Sequence, residues 1–248
     1  MIEIPFEKRA TLAPLFQRHI RQRVIIDAIL EQPYGQAFSD SENNPQIARL
    51  QLGAFKLFAG DPHHPLAEKL ITTSPRGLLI TETDTWKNRI LDLLGEHCST
   101  YLRTGFSFKQ LNRNHVHKLA QKIPEGYRIQ PFNKKYAESE YTETAYTNAE
   151  ILLKNGIGFC TLQNDQIASV AVAYTNTNHG IEVQIYTHDD HQQKGLATCT
   201  SATLIAHCLD HNINPHWSAA NTISANLAQK LDYVKNDLYH AIVYRPIK

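Results

Sequence analysis

The stretch from Gly158 to Thr187 most narrows what this chain can fold into. Runs of strand formers at Gly158–Gln163, 166–175 and 181–187 are separated by the tight turn Asn164-Asp165 and the polar turn 176–180. Ile167, Val170, Val172 and Tyr174 give the middle run its β-propensity. Connections this short imply an antiparallel meander, because a parallel pair needs a much longer crossover. After the meander comes a loop, and an amphipathic helix is expected over 195–211. A short strand at 215–218, a helix at 224–231 and a final strand at 239–244 follow. Ahead of the meander, Pro124-Glu125-Gly126 marks a turn. A strand at 127–132 and a mainly helical stretch at 134–154 come next.

The first half alternates helices and strands. Leu15-Phe16, Ile20, Val24-Ile25 and Ala28-Ile29 recur at helical spacing, predicting a long helix over 14–32 that stops at Pro33-Tyr34-Gly35. A polar loop (39–46), a strand (47–59) closed by Gly60-Asp61-Pro62, and a helix (65–70) follow. Then come a strand at Gly77–Thr81, a helix at 85–94, a strand at 101–108 and a helix at 113–122. The fold class is therefore α/β or α+β, with a boundary near residue 125. The expected domains are 1–125, an α/β region, and 126–248.

The chain has 248 residues, 42% hydrophobic and 20% charged, a composition that can bury a core. With 25 Lys and Arg against 24 Asp and Glu, charge makes no case for nucleic acid or an acidic membrane as a partner. No run approaches the roughly 20 apolar residues that span a bilayer. Met1 to Arg9 lacks the charged-then-apolar plan of a secretory signal. Cys98, Cys160, Cys199 and Cys208 form no Cys-x-x-Cys pair and read as thiols of a reducing cytoplasm. The pairs His63-His64, His115-x-His117 and His188-x-x-His191 lack a third ligand at zinc spacing, so no metal is expected.

Chemistry concentrates in Gln192-Gln193-Lys194-Gly195-Leu196-Ala197-Thr198, between a strand and a helix. Amides from Gln193 to Thr198 at a helix start lack intrahelical acceptors, and the helix dipole adds positive character. Gly195 and Ala197 leave room for a ligand to reach the main chain. Such a loop can cradle a pyrophosphate, with Lys194 adding charge. The same residues also suit a plain helix start.

Gln-x-x-Gly-x-Ala after a meander strand resembles the acetyl-CoA motif of the GNAT N-acetyltransferases, Gln/Arg-x-x-Gly-x-Gly/Ala. Downstream, the run from Asn221 to Tyr233 resembles that family's second signature, Asn-x-x-Ser/Ala-x-x-Leu-x-x-Lys-x-Gly-Phe/Tyr. The segment Cys208-Leu209…Pro215-His216-Trp217 between them is similar to a bacterial subgroup with an extra N-terminal region.

The resemblance implies a C-terminal GNAT fold with a mixed, splayed sheet. It leaves the N-terminal region as a plain lobe on the acceptor side or a degenerate copy of the fold. It implies a cytoplasmic enzyme that moves acetyl from acetyl-CoA to a primary amine of a small molecule or peptide. The alternative is a CoA-binding sensor or scaffold with weak catalysis. By the same resemblance, the main chain of Ile185, Tyr186 and Thr187 lines the pantetheine arm. Residues Gln192 to Thr198 wrap the pyrophosphate, Asn221 hydrogen-bonds the pantetheine or helps order the site, and Ser224 counts with the cofactor-binding residues. Glu182 is the candidate base, its competing reading being a solvent-facing strand carboxylate. Where many members carry a Tyr as acid this chain has Ala228, and His216 and Tyr186 are the nearby substitutes. Asp232 stands where Gly is usual, which implies a positive φ or a bulge.

Overall fold

The computed structural model describes residues 1–245 and divides into two compact units. One comprises residues 1–103 together with the returning chain from Tyr239, and the other residues 104–238. The division thus falls at Arg103/Thr104 and not near residue 125, because the end of the 98–107 strand and the helix after it pack with the later residues.

The N-terminal unit begins with β1 (Ile2–Glu3), a 3-10 helix (Phe6–Phe16) and α1 (Arg23–Leu30). Then follow β2 (Gln36–Ser39), β3 (Ile47–Leu52), β4 (Phe55–Gly60), α2 (Ala67–Thr72), β5 (Gly77–Thr81) and α3 (Asp84–Leu94). β6 (Cys98–Ser107) leaves this unit for the other. In the C-terminal unit α4 (Arg113–Ala120) and β7 (Arg128–Pro131) lead to α5 (Lys134–Ala137) and α6 (Ala149–Asn155). The meander β8 (Gly158–Gln163), β9 (Gln166–Thr177) and β10 (Gly180–Thr187) comes next. α7 (Leu196–Asp210), β11 (Pro215–Ala219), α8 (Thr222–Lys230) and β12 (Val234–Tyr244) complete the chain.

The units repeat one plan. In the first, β1, β2, β3 and β4 pair antiparallel in sequence, β4 pairs parallel with β5, and β5 pairs antiparallel with the end of β12. In the second, β7, β8, β9 and β10 pair antiparallel, β10 pairs parallel with β11, and β11 pairs antiparallel with the end of β6. Each unit's last strand is therefore supplied by the chain that follows the other unit's last helix. Within the first unit, Tyr239 pins the returning strand: its hydroxyl accepts from Gln22 Nε2 (3.0 Å) and Arg103 Nε (3.1 Å). The N-terminal region is thus a second copy of the same topology.

Three predicted elements differ. The 14–32 helix is broken, because Pro14 sits in a 3-10 segment and residues 17–22 turn so that His19 points inward while Ile20 is 69% exposed. The 47–59 strand is a hairpin, since Gly53 takes φ +51 in a two-residue turn that pairs Leu52 with Phe55. Near-complete burial of both strands hid the turn from any two-residue pattern. The 134–154 stretch is two short helices capped by Asn133 and Asn148, whose side chains accept from Tyr136 N and Ile151 N. Residues 138–148 between them are irregular and rich in threonine, a poor helix former.

In the C-terminal unit, Ala202, Ile205 and Ala206 of α7 pack with Val116 of α4, Phe106, Trp217 and Leu227. On the same helix, Leu204 and Cys208 pack on Ala171, Ala173 and Ile181. α7 is thereby fixed over one face of the meander. Trp217, expected in the sheet or core, is buried with its Nε1 donating to Ser224 Oγ (3.1 Å).

His19 gives the N-terminal unit a titratable element. It is 2% exposed, and its Nε2–H donates to Phe58 O at 3.0 Å. Burial is the main reason its pKa is held down to about 4. The unfolded chain takes up a proton below about 6.5 that the folded one refuses until about 4. The neutral imidazole's stability is thus complete above 6.5 and lost as pH falls through that window. At about 1.4 kcal/mol per unit, the loss reaches roughly 3 kcal/mol. Denaturant midpoints should fall between pH 7 and pH 4, and His19→Gln should flatten that dependence; parallel curves for the two proteins would contradict the assignment.

Candidate active site

β10 and β11 pair at Ile181↔Pro215 and Glu182↔His216. Beyond that point β10 keeps its partner β9 while β11 keeps β6, and the two strands share no further ladder. The β9–β10 pairing shifts register at the same level, between Ile181 and Val183. The extra residue lies on β9, where Tyr174 and Thr175 face Glu182, so the bulged strand is β9. Between β10 and β11 lies a wedge that is closed at Glu182 and open toward Thr187.

Alternation along β10 decides which groups face the wedge. Ile181 N–H donates across to Asn214 O (2.9 Å), and His188 N–H donates to Ala168 O on the opposite side (2.9 Å). Gln184 and Tyr186 address β9 with His188, so Val183, Ile185 and Thr187 turn amide and carbonyl into the wedge. The Tyr186 carbonyl accepts from Ser169 Oγ (2.9 Å), and its side chain lies on the face away from α7.

At the wide end, the loop after β10 folds into an anion cradle. Gln193 has φ +60 and Gly195 φ +83, with Lys194 between them outside the positive region. Alternation of this kind brings successive amides together. The amides of Gln193, Lys194, Gly195, Leu196 and Ala197 donate to no acceptor among the described residues. Thr198 belongs to the helix instead, as its N–H donates to Gly195 O (3.1 Å). Gln192 is a brace: its N–H reaches Asp189 O, and its Nε2 reaches Asp189 Oδ1 (2.7 Å) and Thr187 O (3.5 Å). A Cβ built on Gly195 meets nothing within 4 Å, so the space above it is open. Lys194 Nζ donates to Asp190 O (2.9 Å) and lies 3.4 Å from the Tyr127 hydroxyl, itself 2.9 Å from His191 Nδ1. Burial, then Lys194 and His188, hold the His191 pKa below its ordinary value.

The second motif supports the wedge from below. Asn221 caps α8, its side chain accepting from Ser224 N (2.9 Å), which leaves its Nδ2 amide as the group able to meet a ligand. Ser224 Oγ holds the Trp217 indole. Asp232 has φ +70, the conformation for which the family pattern keeps glycine. Glu182 is 8% exposed at the wedge's vertex, not solvent-facing. Tyr233 donates to Pro215 O (2.9 Å), and burial, with Cys208 and Glu182 nearby, drives its pKa well above 10, so it remains protonated. Ala228, at the family's Tyr position, is fully buried. Burial pushes the Cys208 and Cys160 thiols up to about 12, which makes both poor nucleophiles.

One feature escaped the sequence. The rings of Tyr141, on the 138–148 loop, and Tyr186 stack at 4.8 Å and 6°, and His188 meets Tyr141 edge-on at 5.7 Å. Two tyrosines in separate elements give no periodic signal that could pair them.

Among the described residues, the N-terminal unit has neither wedge nor cradle. β4 and β5 stay in register from Phe55↔Leu78 to Phe58↔Thr81. The loop after β4 holds Pro62 and Pro65, and its amides are used internally: His63 N on Asp61 Oδ1, His64 N on Asp61 O, Leu66 N on His64 Nδ1. Thr83 caps α3 as Asn221 caps α8, and the third helical residue, Ser224 in one unit, is Trp86 in the other. Trp86 Nε1 donates to Gly60 O (2.8 Å), tying α3 to the end of β4.

Comparison with known proteins agrees with this geometry. The chain is 24% identical over 174 residues to YdfB of Bacillus subtilis (strain 168), described as an uncharacterized N-acetyltransferase, the match covering 67% of this chain and 65% of that protein. The chain thus matches a little under two thirds of that relative's length. The crystal structure of a GCN5-related N-acetyltransferase-like protein from Streptococcus suis 89/1591 superposes with a TM-score of 0.86 at 27% identity, over 96% of this chain and 99% of that one. A tandem GNAT protein from the clavulanic acid biosynthesis pathway shares the fold at a TM-score of 0.59 and 10% identity, over 100% and 99% of the two chains. The profile of the GNAT acetyltransferase family matches residues 13–242, nearly the whole of both units. With wedge, cradle and duplicated topology in agreement with that match, the chain belongs to the GNAT acetyltransferase family.

Proposed function

We propose that the C-terminal unit binds acetyl-CoA in the β10–β11 wedge and catalyses acetyl transfer to a primary amine of a small molecule or peptide. The observation that carries this reading is the set of free amides from Gln193 to Ala197 at the start of α7, next to a strand edge with unspent main-chain groups. A pyrophosphate satisfies such amides, and the helix dipole favours it. Ile185 and Thr187 would hold the pantetheine arm through their main chain, with Asn221 Nδ2 at its flank. Acetyl-CoA, when bound, supplies an activated acyl group.

The chain's own residues have two tasks. An amine is protonated at neutral pH and must lose a proton before it attacks. The Glu182 carboxylate, buried at the vertex, receives that proton in this proposal. The second task is to stabilise the charge that grows on the carbonyl oxygen, and an amide of the wedge-facing edge, Val183 or Ile185, can donate there. The N-terminal unit, without a cradle, serves as an acceptor-side or structural lobe. No helix among the described residues is long and apolar enough to cross a membrane, and the four cysteines are free. A cytoplasmic location forms part of the proposal.

Titration calorimetry should find one acetyl-CoA per chain. A concentration 100 times the dissociation constant should raise the melting temperature, since it adds about 2.7 kcal/mol. Gly195→Glu puts a carboxylate in the cradle and should abolish the shift while the protein still melts cooperatively; two sites per chain, or normal affinity in the variant, would refute the cradle. Glu182→Gln should lower kcat by about 10²–10⁴ with acetyl-CoA affinity kept. Equal turnover by the two proteins across the pH range would remove Glu182 from the mechanism. A protein that binds acetyl-CoA and releases no thiol with any amine would be the sensor that the buried Ala228 permits.

A further inference from the structure

The extra residue of β9 sets two side chains against Glu182. Ile181 packs on α7, and its register partner Asn176 shares that face. Alternation then turns Thr175, next to Asn176, to the opposite face. Counted from the other side, Ala173 packs on α7 with its partner Val183, so Tyr174 also turns away from the helix. Glu182, between Ile181 and Val183, points the same way. Tyr174, Thr175 and Glu182 thus share one face at the vertex of the wedge.

Thr175 stands out there. On this face β9 runs Val170, Val172, Tyr174 and Thr175, all buried. Thr175 Oγ1 is buried with no hydrogen-bond partner among the described residues. Such a hydroxyl costs its desolvation, and a β-branched valine of the same shape would fill the site without that cost. The bulge that brings it to this face is itself held, since Tyr174 O accepts from Ala145 N (2.8 Å) in the chain between α5 and α6. Cβ atoms of residues opposed on paired strands lie about 5 Å apart, a gap that a glutamate side chain spans by changing rotamer.

Resting on the transferase reading, we propose that Thr175 is a positioning residue for the base: as the amine enters, the Glu182 carboxylate turns to accept from the Thr175 hydroxyl. One carboxylate oxygen is then fixed by Thr175, and the other takes the proton that leaves the amine nitrogen. Thr175 keeps its own proton throughout. The bond is open in the free protein, as is common for hydrogen bonds that tighten only around substrate.

Thr175→Val removes the hydroxyl and keeps the shape. The variant should melt no lower than wild type and should keep the acetyl-CoA melting shift. With an amine that the wild-type protein acetylates in a thiol-release screen, its kcat should fall roughly 10- to 100-fold, the worth of one hydrogen bond to a charged group. The acid limb of its kcat profile should move up by about one pH unit, because a carboxylate that has lost a donor is protonated more easily. Thr175→Ser should restore both. In a Glu182→Gln background the valine change should cost nothing further, since Thr175 acts through Glu182. Wild-type kcat with an unmoved acid limb in Thr175→Val would overturn the assignment while the transferase reading stands. So would a lower melting temperature with a lost acetyl-CoA shift, which marks a structural residue. No thiol release by the wild type with any amine would sink the transferase reading and the positioning role together.

Discussion

The C-terminal unit depends on the early end of the β10–β11 ladder, which pairs only at Ile181↔Pro215 and Glu182↔His216. A parallel pair that continued past Glu182 would spend the main-chain groups of Val183, Ile185 and Thr187 on β11. The pairing ends at Glu182 instead, at the cost of the ladder bonds that would have followed. α7 and α8 then bear the work of holding β11 in place, which they do through Trp217, Ala219 and Leu227. Loss of ladder bonds and gain of an open strand edge come from the same feature.

The N-terminal unit shows what that topology does when the ladder is kept. Its parallel pair is in register throughout, and a tryptophan stands where the other unit has a small serine. Trp86 packs on Phe58, Ile90 and Ile242, and its indole N–H takes the Gly60 carbonyl. Buried cations serve the same end. Arg49 donates to Leu70 O and Ser74 Oγ, and Lys56 Nζ to the carbonyls of Gly53, Ala54 and Arg76, where burial first and Arg49 second bring its pKa down to about 8. These contacts make a closed lobe from a plan that elsewhere opens.

What could be read from the amino acids follows from where each signal resides. The meander, the 195–211 helix and the cradle are local, with turn residues, periodicity and a glycine close together in sequence. The positive φ of Asp232 was legible because the motif around it demands one. The helix at 14–32 was not, because His19 exchanges helical geometry for a bond to Phe58, far away in sequence. The threonine-rich loop after α5 was read as helix, and the Tyr141–Tyr186 stack was hidden with it. The register shift beside the wedge has no composition signature: Tyr174 and Thr175, which face Glu182 there, are ordinary strand formers, and only pairing reveals the bulge. The duplication was hidden for a related reason, since the two units share the order of their elements and almost none of their residues.

The exchange of final strands also orders events in time. β11 can find β6 soon after it is made, because β6 precedes it in the chain. β5 must wait for Leu79 to meet Ile242, near the far end of the sequence. Until then the N-terminal sheet ends in an unpaired edge, the kind that invites pairing with another chain. Synthesis from the N-terminus thus yields the closed, cradle-free lobe first and completes it last. The lobe that bears the wedge can have all its strands in place while its companion is still open, and a chain cut short before Tyr239 would spare the chemistry's sheet and strand the other.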